Sequence, residues 1–171
     1  MNYVALLRGV NVGGVTLRSA DLRATFSATL GFGGVRPVLA SGNVVFESPE
    51  TDRLALAEHI TDALRAGFGY DAWTLVLDLE TLAGIADGYP FDLADDRQPY
   101  VVFVADAGSA AELASAPRGD VDSVAGGDGV VYWDVPKGQT LGSTFGRELA
   151  RSRWKSGTTS RNLRTLRRIL A

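Results

Sequence analysis

The sequence predicts an α+β fold made of two split β-α-β units that pack together, each a small sheet with helices on one face. Three observations predict it. Short apolar runs of strand length alternate with longer segments whose apolar residues recur at helical spacing. In the first half of the chain these segments predict the element order β-α-β-β-α-β. The second half repeats β-α-β-β-α less regularly, as a repeat of topology without a visible repeat of sequence.

The composition is that of a folded protein without disulfide bonds. The 171 residues suit one large domain or two small ones, and a chain of this length buries about two-thirds of the surface of its unfolded form. There is no cysteine, which excludes disulfides, thiolate metal sites and a cysteine nucleophile. No segment approaches the roughly 20 apolar residues of a membrane span, and the apolar run before Arg8 is too short for a signal peptide. We therefore expect a cytoplasmic protein that does not associate with membranes.

Charge is distributed unevenly along the chain. The net charge is −3, yet residues 147–171 hold eight basic residues and one acidic residue, which gives this segment +7 and leaves −10 for residues 1–146. Such a segment is typical either of a tail that binds an anionic partner or of a solvated helix face docked on an acidic body. The basic residues are Arg147, Arg151, Arg153, Lys155, Arg161, Arg164, Arg167 and Arg168.

The first unit starts with a strand that leads into a glycine-rich loop. Residues 3–7 are continuously apolar, as in a strand that is central in a sheet, and residues 9–16 contain three glycines. Ser19 is placed to cap the helix that follows, with Asp21 in its first turn. The apolar face of this helix consists of Leu22, Phe26 and Leu30.

A hairpin, a second helix and a fourth strand complete the first unit. Residues 35–40 and 43–47 form two strands, which Ser41-Gly42 joins as a tight turn. The remaining elements are a helix that opens at Pro49 and Thr51 and a strand over residues 73–77.

A helix over residues 79–86, a break at residues 88–91 and a polar linker over residues 92–99 mark the boundary between the units. We place the first unit at residues 1–88 and the second, with its basic C-terminal helix, at residues 89–171. The second unit comprises a strand at 100–105, a helix at 110–116, a hairpin of strands at 121–125 and 130–135, a helix at 145–150, and a last helix capped by Ser160.

The topology brings separate loops of the first unit to one end of its sheet. Right-handed crossovers make the first two strands parallel, with the third strand running the other way between them. Arg8 and the glycine loop then lie beside Ser41, Gly42 and Asn43, at the start of the first helix. Glycines let backbone N–H groups approach an anion, and an arginine binds phosphate or carboxylate through two hydrogen bonds. This arrangement predicts a small anion-binding pocket, more specifically one for a phosphate-containing ligand.

A purely structural interpretation of the same residues stays open. In that interpretation the glycines serve loop geometry, Arg8 is tied to an internal carboxylate such as Asp21, and Ser41-Gly42-Asn43 is only a turn. The spacing matches neither the phosphate-loop pattern G-x-x-x-x-G-K-[ST] nor G-x-G-x-x-G, so it is a weak nucleotide signature.

The other candidate residues favour structural roles. His59, the sole histidine, lies at the edge of the apolar stripe of the second helix, and no G-x-S-x-G elbow accompanies it. Asp92, Asp95 and Asp96 are more typical of a solvated acidic linker than of a cation site. Trp154 lies among basic residues, which fits stacking on single-stranded nucleic acid but fits packing of the tail better. No metal and no cofactor is predicted.

Three motifs lie in order along nearly the whole chain: Ala5-Leu6-Leu7-Arg8-Gly9-Val10-Asn11-Val12-Gly13-Gly14, Ala40-Ser41-Gly42-Asn43-Val44-Val45-Phe46 and Thr158-Thr159-Ser160-Arg161-Asn162. Together with Tyr89-Pro90-Phe91, which is similar to an Asn-Pro-Phe motif, they resemble the bacterial family called domain of unknown function 1697. Three positions depart from the family pattern, since Tyr89 replaces an asparagine, Leu163 a tryptophan and Val15 a lysine. The resemblance implies two ferredoxin-like subdomains, here with a C-terminal helix, and it implies no activity.

The residues predicted to bind a ligand come from these motifs. If Arg161, at the start of the last helix, meets the first loop, the two units share one polar cleft. The predicted set is Arg8, Gly9, Asn11, Gly13, Gly14, Ser41, Gly42, Asn43, Arg161 and Asn162.

We expect this cleft to bind a small anionic or nucleotide-like ligand. A second interpretation is single-stranded nucleic-acid binding through a sheet face and the basic tail, which the acidic body and the lack of an aromatic pattern on the first strand disfavour. A third is a hydrolase or transferase acting on a phosphorylated substrate, with arginines holding charge and a carboxylate such as Asp21 as base. The sequence leaves open whether the protein is an enzyme and whether it is a monomer or a dimer.

Overall fold

Two four-stranded antiparallel sheets, each with its own helices, make up the protein. The structure is a computed structural model that describes residues 1–10, 15–71 and 73–171. The chain divides into two compact units, Met1–Leu82 with Arg168–Ala171, and Ala83–Arg167. The predicted α+β class with two units of the same topology is confirmed. The boundary that the sequence places after residue 88 stays a prediction.

The first unit has the strand order β2-β3-β1-β4, with every neighbouring pair antiparallel. β1 and β2 therefore run parallel with β3 between them, as the right-handed crossovers predict. A π-helical segment at Thr25–Thr29 continues α1. The elements are β1 (Asn2–Leu7), α1 (Ser19–Ala24), β2 (Gly33–Val38), β3 (Asn43–Glu47), α2 (Arg53–Phe68), β4 (Thr74–Asp78) and α3 (Leu79–Asp87), which crosses into the second unit.

One face of this sheet carries the hydrophobic core of the first unit. Alternate residues of β1, namely Tyr3, Ala5 and Leu7, point to the same side and are buried, because side chains alternate along a strand. They pack with Leu56, Ile60 and Leu64 of α2 in one hydrophobic cluster. These three residues recur at the helical spacing that the sequence shows. α2 begins after Asp52, whose carboxylate accepts the backbone N–H groups of Leu54 and Ala55.

The second unit repeats the order of the first, β6-β7-β5-β8, again with antiparallel neighbours. Its core includes Trp133 and Phe145, with Trp154 against them. The elements are β5 (Arg97–Val104), α4 (Ala107–Ala114), β6 (Ser123–Gly126), β7 (Val130–Pro136), α5 (Thr144–Leu149), α6 (Ser152–Lys155), β8 (Thr158–Asn162) and α7 (Leu163–Leu170), whose last residues belong to the first unit.

Several local predictions are wrong. Residues 97–99 belong to β5 rather than to a linker. On the β8 side, β5 is paired only from Tyr100 onward, so the N–H that Pro99 lacks is not needed for a hydrogen bond to β8. The hairpin between β2 and β3 turns over residues 39–42, with left-handed backbone at Leu39 and Gly42.

Helix starts differ from the prediction at two positions. Ser19 is the first residue of α1, and the residue that precedes the helix is Arg18. Ser160 does not cap the last helix, because it lies in β8; the side chain of Asn162 instead accepts the backbone N–H of Arg164. In the described part of the chain, no helix has the length and apolar character needed to cross a membrane.

Candidate functional site

The end of β1 is fixed by backbone hydrogen bonds to both neighbouring strands. The N–H of Leu7 donates to the carbonyl of Gly42 at 2.8 Å, and the N–H of Arg8 donates to the carbonyl of Trp73 at 3.2 Å. The hydroxyl of Tyr70 donates to the carbonyl of Arg8. We call this meeting point of β1, the β2–β3 hairpin and the start of β4 the β1 corner. It brings Arg8 next to the hairpin, as the topology predicts.

Two glycines at the β1 corner have positive φ, a backbone conformation that favours glycine. Gly9 has φ of +66° and Gly42 has φ of +76°. A Cβ atom at Gly42 would lie 3.0 Å from side-chain atoms of Leu7 and of Val10. Gly42 therefore has a packing role whether or not a ligand binds. Asn11, Gly13 and Gly14 lie outside the described residues.

The polar side chains of the hairpin make internal hydrogen bonds. The amide of Asn43, which is fully buried, donates to the carbonyl of Val38 and to the hydroxyl of Ser41, both at 2.9 Å. Asn43 therefore holds the turn together, and Ser41 itself is exposed. A ligand role for either residue stays a prediction.

Arg8 is half-buried at this corner. Burial lowers the pKa of its guanidinium, and the nearby Tyr70 hydroxyl partly opposes this effect. The structural interpretation pairs Arg8 with Asp21. The Asp21 carboxylate forms an exposed ion pair with Arg18, with 3.5 Å between the charged atoms. A guanidinium that has lost part of its hydration gains more from an arriving anion than a fully hydrated one does.

The second unit contains the same corner and serves as an internal comparison. There the N–H of Val104 donates to the carbonyl of Gly129 at 3.1 Å, and the N–H of Ala105 donates to Gly157 at 2.8 Å. Gly129, like Gly42, has a positive φ, of +68°. The glycine turn and the backbone bonds thus belong to the fold, whereas the position of Arg8 is occupied by Ala105 in the second unit.

Arg161 and Asn162 lie in β8 of the second unit. The guanidinium of Arg161 is buried and donates to the hydroxyl of Thr159 at 2.8 Å and to the carbonyl of Ser160 at 2.9 Å. The amide of Asn162 donates to Gln98 at 2.8 Å. Their participation in a common cleft with Arg8 stays a prediction.

Trp154, the candidate for nucleic-acid stacking, is packed in the protein, as are Tyr3 and Trp133. Tyr3 is 1% exposed, and Trp133 and Trp154 lie in the core of the second unit. The indole N–H groups of these tryptophans donate to Asp122 and to Glu148. The predicted packing of Trp154 with the tail is therefore confirmed.

Part of the positive charge of the basic segment, residues 147–171, is neutralised by Glu148, which belongs to the same segment. Glu148 is buried and forms ion pairs with Arg153 at 2.7 Å and with Arg151 at 3.3 Å. Hydrogen bonds from Arg153 and from the Trp154 indole lower the pKa of the Glu148 carboxyl. The apolar face of α7 is buried, and its arginines form no ion pair within the described residues; they are Arg164, Arg167 and Arg168, all exposed. An anionic partner for them stays a prediction.

The remaining candidates are solvated. His59 is exposed on α2, and Asp92, Asp95 and Asp96 are exposed before β5. The described residues contain no group of three or more histidine, cysteine, aspartate or glutamate side chains placed to hold a metal ion.

One concave site has no counterpart in the sequence predictions. A groove of about 540 Å³ lies between α2 and the start of β4 in the first unit, and Glu58, Trp73 and Thr74 are among its lining residues. On a sequence, Glu58 is part of the polar face of a helix and Trp73 the first residue of a strand, so no motif signals that the two meet.

The family comparison agrees with the motifs at the β1 corner. The sequence model of the family described as protein of unknown function (DUF1697) matches residues 1–132. The chain belongs to the DUF1697 family. The matched range contains the first two motifs and Tyr89-Pro90-Phe91, whereas Thr158–Asn162 lies beyond it. No curated protein matches the chain significantly.

The fold of this DUF1697 member also occurs in a solved structure. The chain is similar to a conserved bacterial protein from Streptococcus pneumoniae, with a TM-score of 0.79 and 21% sequence identity, over 98% of this chain and 96% of that chain. At this level of identity the similarity shows a common fold.

Two of the positions that depart from the DUF1697 pattern, Leu163 and Tyr89, make contacts within the protein. Leu163, at the tryptophan position, is buried. Tyr89, at the asparagine position, donates its hydroxyl to the Asp134 carboxylate at 3.1 Å, and Asp134 also pairs with Arg97. Burial raises the pKa of the Tyr89 hydroxyl above its ordinary value, and the Asp134 charge adds to this effect. These contacts favour a structural role for the mid-chain motif.

Proposed function

We propose that the protein binds a small anionic ligand, such as a phosphate-containing metabolite, at the β1 corner, with Arg8 as the principal cation. The observation that carries this proposal is the comparison between the two units. Both build the same corner from the same backbone bonds, so the fold itself does not require an arginine there. The first unit nevertheless places a half-buried arginine where the second has Ala105.

The energetics favour an anion. Removing part of the water around a guanidinium weakens its hydration, and a bound phosphate or carboxylate restores the lost interaction through two parallel hydrogen bonds. The Tyr70 hydroxyl and the Trp73 carbonyl hold the backbone of Arg8, so the backbone at this position has little conformational entropy left to lose on binding.

The other predicted residues have secondary roles in this proposal. The backbone of Gly9 and Gly42 shapes the corner, and Ser41 supplies an exposed hydroxyl within the turn. A contribution of backbone N–H groups from residues 11–14 of the glycine loop stays a prediction, because these residues lie outside the described part of the chain. The ligand roles of Arg161 and Asn162, in the second unit, stay a prediction.

Thermal-shift measurements with sulfate, phosphate and adenosine monophosphate test the proposal. A ligand at 100 times its Kd stabilises the folded state by about 2.7 kcal/mol, which for a chain of this size raises the Tm by about 5–10 °C. We expect Arg8→Ala to remove this increase and Arg8→Lys to reduce it, since lysine cannot bind in a bidentate manner.

The matched control is Arg53→Ala. Arg53 pairs with Asp78 at the opposite end of the same sheet, so its removal takes away an equal charge far from the corner. An equal Tm increase in wild type and Arg8→Ala, or no increase with any of the three anions, would overturn the proposal.

A further inference from the structure

A concave site between α2 and the start of β4 in the first unit differs in chemistry from the β1 corner. We call it the α2–β4 groove. Its volume of about 540 Å³ lies within the range of about 300–1,000 Å³ that is typical of small-molecule sites. Three turns of α2, the connection that follows and the first residue of β4 line it: Leu54, Ala57, Glu58, Thr61, Asp62, Arg65, Asp71, Trp73 and Thr74.

The groove is acidic. Three carboxylates line it against one guanidinium. Arg65 is held between Asp62 at 2.9 Å and Asp71 at 2.7 Å, so its charge is already matched. Glu58 makes no ion pair or side-chain hydrogen bond within the described residues, and it is exposed. The groove therefore complements a cation and repels an anion.

Thr74 supplies a second, independent observation. Its side chain is buried, with 4% of its surface exposed, and among the described residues its hydroxyl has no hydrogen-bond partner. A buried hydroxyl without a partner is unfavourable, and native structures contain few. Thr158, at the same register position in the second unit, donates its hydroxyl to the carbonyl of Trp154 at 2.8 Å. Within the described residues, the Thr74 hydroxyl in the wall of this groove is therefore unpaired, whereas the equivalent hydroxyl of the second unit has a partner.

The apolar part of the lining suits the body of a small organic molecule. Trp73 is half-buried, and Leu54 is 77% exposed on the first turn of α2. Aromatic residues attract both apolar groups and cations. Only Trp73 and Thr74 represent the β4 side, so the groove gives an extended peptide little strand edge to pair with.

We propose that the α2–β4 groove binds a small organic cation, an amine or guanidinium compound with an apolar body and one further hydrogen-bonding group. Glu58 meets the cation, Trp73 contacts the apolar body, and the Thr74 hydroxyl bonds the further polar group. This site shares the Trp73 residue with the β1 corner, but it uses the Trp73 side chain, whereas the corner uses the Trp73 carbonyl.

Nuclear magnetic resonance titration of the full chain tests this proposal with tyramine as the probe. The chain has three indole N–H signals. Those of Trp133 and Trp154 are hydrogen-bonded in the second unit and serve as references, and Trp73→Phe assigns the third. We expect tyramine to move the Trp73 signal saturably at low salt. Tyrosol, which replaces the amine by a hydroxyl, should bind about tenfold more weakly.

Single substitutions test the contributions of the Glu58 carboxylate and the Thr74 hydroxyl separately. Glu58→Gln should weaken tyramine binding about tenfold, whereas the control Glu80→Gln, an exposed glutamate of the same unit outside the groove, should leave it unchanged. Thr74→Val should weaken tyramine about threefold and leave phenethylamine, which lacks the phenol hydroxyl, unaffected.

Several results would overturn the proposal: a Trp73 signal that tyramine does not move, equal affinity for tyrosol, or unchanged affinity in Glu58→Gln. Equal effects of Thr74→Val on both amines would remove the role of that hydroxyl. A lysine-containing hexapeptide that binds far more tightly than tyramine would make the groove a peptide surface instead. Arg8→Ala should leave tyramine binding intact, so loss of anion binding and loss of cation binding remain distinguishable.

Discussion

Asp122 is a buried carboxylate whose replacement should destabilise the second unit by a calculable amount. One of its oxygens accepts the indole N–H of Trp133, and the other accepts the backbone N–H groups of Gly119 and Phe145, each at 3.0 Å. Asparagine keeps the shape but has one oxygen. If that oxygen accepts the two backbone groups, the amide nitrogen faces the indole donor. Leaving one buried donor unpaired costs about 1–3 kcal/mol, so we expect Asp122→Asn to lose about 2 kcal/mol of unfolding free energy.

The effect should depend on pH in a defined direction. Burial of the Asp122 carboxyl opposes ionisation, but hydrogen bonds from Phe145, Ser143, Gly119 and Trp133 outweigh it, and the pKa lies below its ordinary value. The unfolded chain therefore binds a proton at Asp122 more readily than the folded chain does. The stabilisation is fully present above the ordinary aspartate pKa of about 3.9 and is lost as the pH falls from there through the folded-state pKa.

Urea unfolding at pH 7 and at a series of pH values below 4 measures both effects. A loss of about 2 kcal/mol corresponds to a Tm decrease of about 4–8 °C for a chain of this size. Asp120→Asn, the same substitution at an exposed position two residues away, is the control and should change stability by less than about 0.5 kcal/mol. An Asp122→Asn protein as stable as wild type at pH 7, or a difference that does not shrink on acidification, would refute the reasoning.

Three further substitutions test the packing by thermal and urea unfolding. A Cβ atom at Gly146 would lie 1.9 Å from the carbonyl oxygen of Thr140, so Gly146→Ala should destabilise by about 3 kcal/mol or more, and a neutral effect would show that this backbone contact is wrong. Gly67→Ala, in open space on α2, should instead stabilise by about 0.5 kcal/mol, and a loss would contradict the helix geometry there. Tyr89→Phe should cost about 1 kcal/mol by removing the hydrogen bond to Asp134, and an unchanged Tm would argue that the bond contributes nothing.

The arrangement of the first sheet could be predicted because few topologies satisfy the handedness of a β-α-β connection. β3 lies at Asn43–Glu47, where the sequence predicts it, and the pairing of Leu6 with Asn43 brings the hairpin beside Arg8 as expected. The equivalence of Arg8 and Ala105 had no sequence signal, because the two halves share hydrogen-bond geometry and not residues.

β8 shows why other parts could not be predicted. The residues Thr158–Asn162 are polar and lack the alternation typical of a strand, and Ser160 followed by an apolar face is typical of a helix start. The strand forms because β5 offers it a backbone edge from Tyr100 to Val104, a non-local partner. The α2–β4 groove depends in the same way on tertiary structure, since the missing partner of Thr74 is visible only once the strands are paired.

The discontinuity of the first unit has a consequence for biosynthesis. Residues 168–171 belong to the unit formed by Met1–Leu82, and within it Arg36 donates a hydrogen bond to the carbonyl of Ile169 at 2.8 Å. A ribosome must translate the 85 residues from 83 to 167 before that carbonyl exists, which takes about 4–17 s at about 5–20 residues per second. During this interval the nascent amino-terminal half lacks part of its own structure. Its completion therefore follows the synthesis of the other half rather than preceding it.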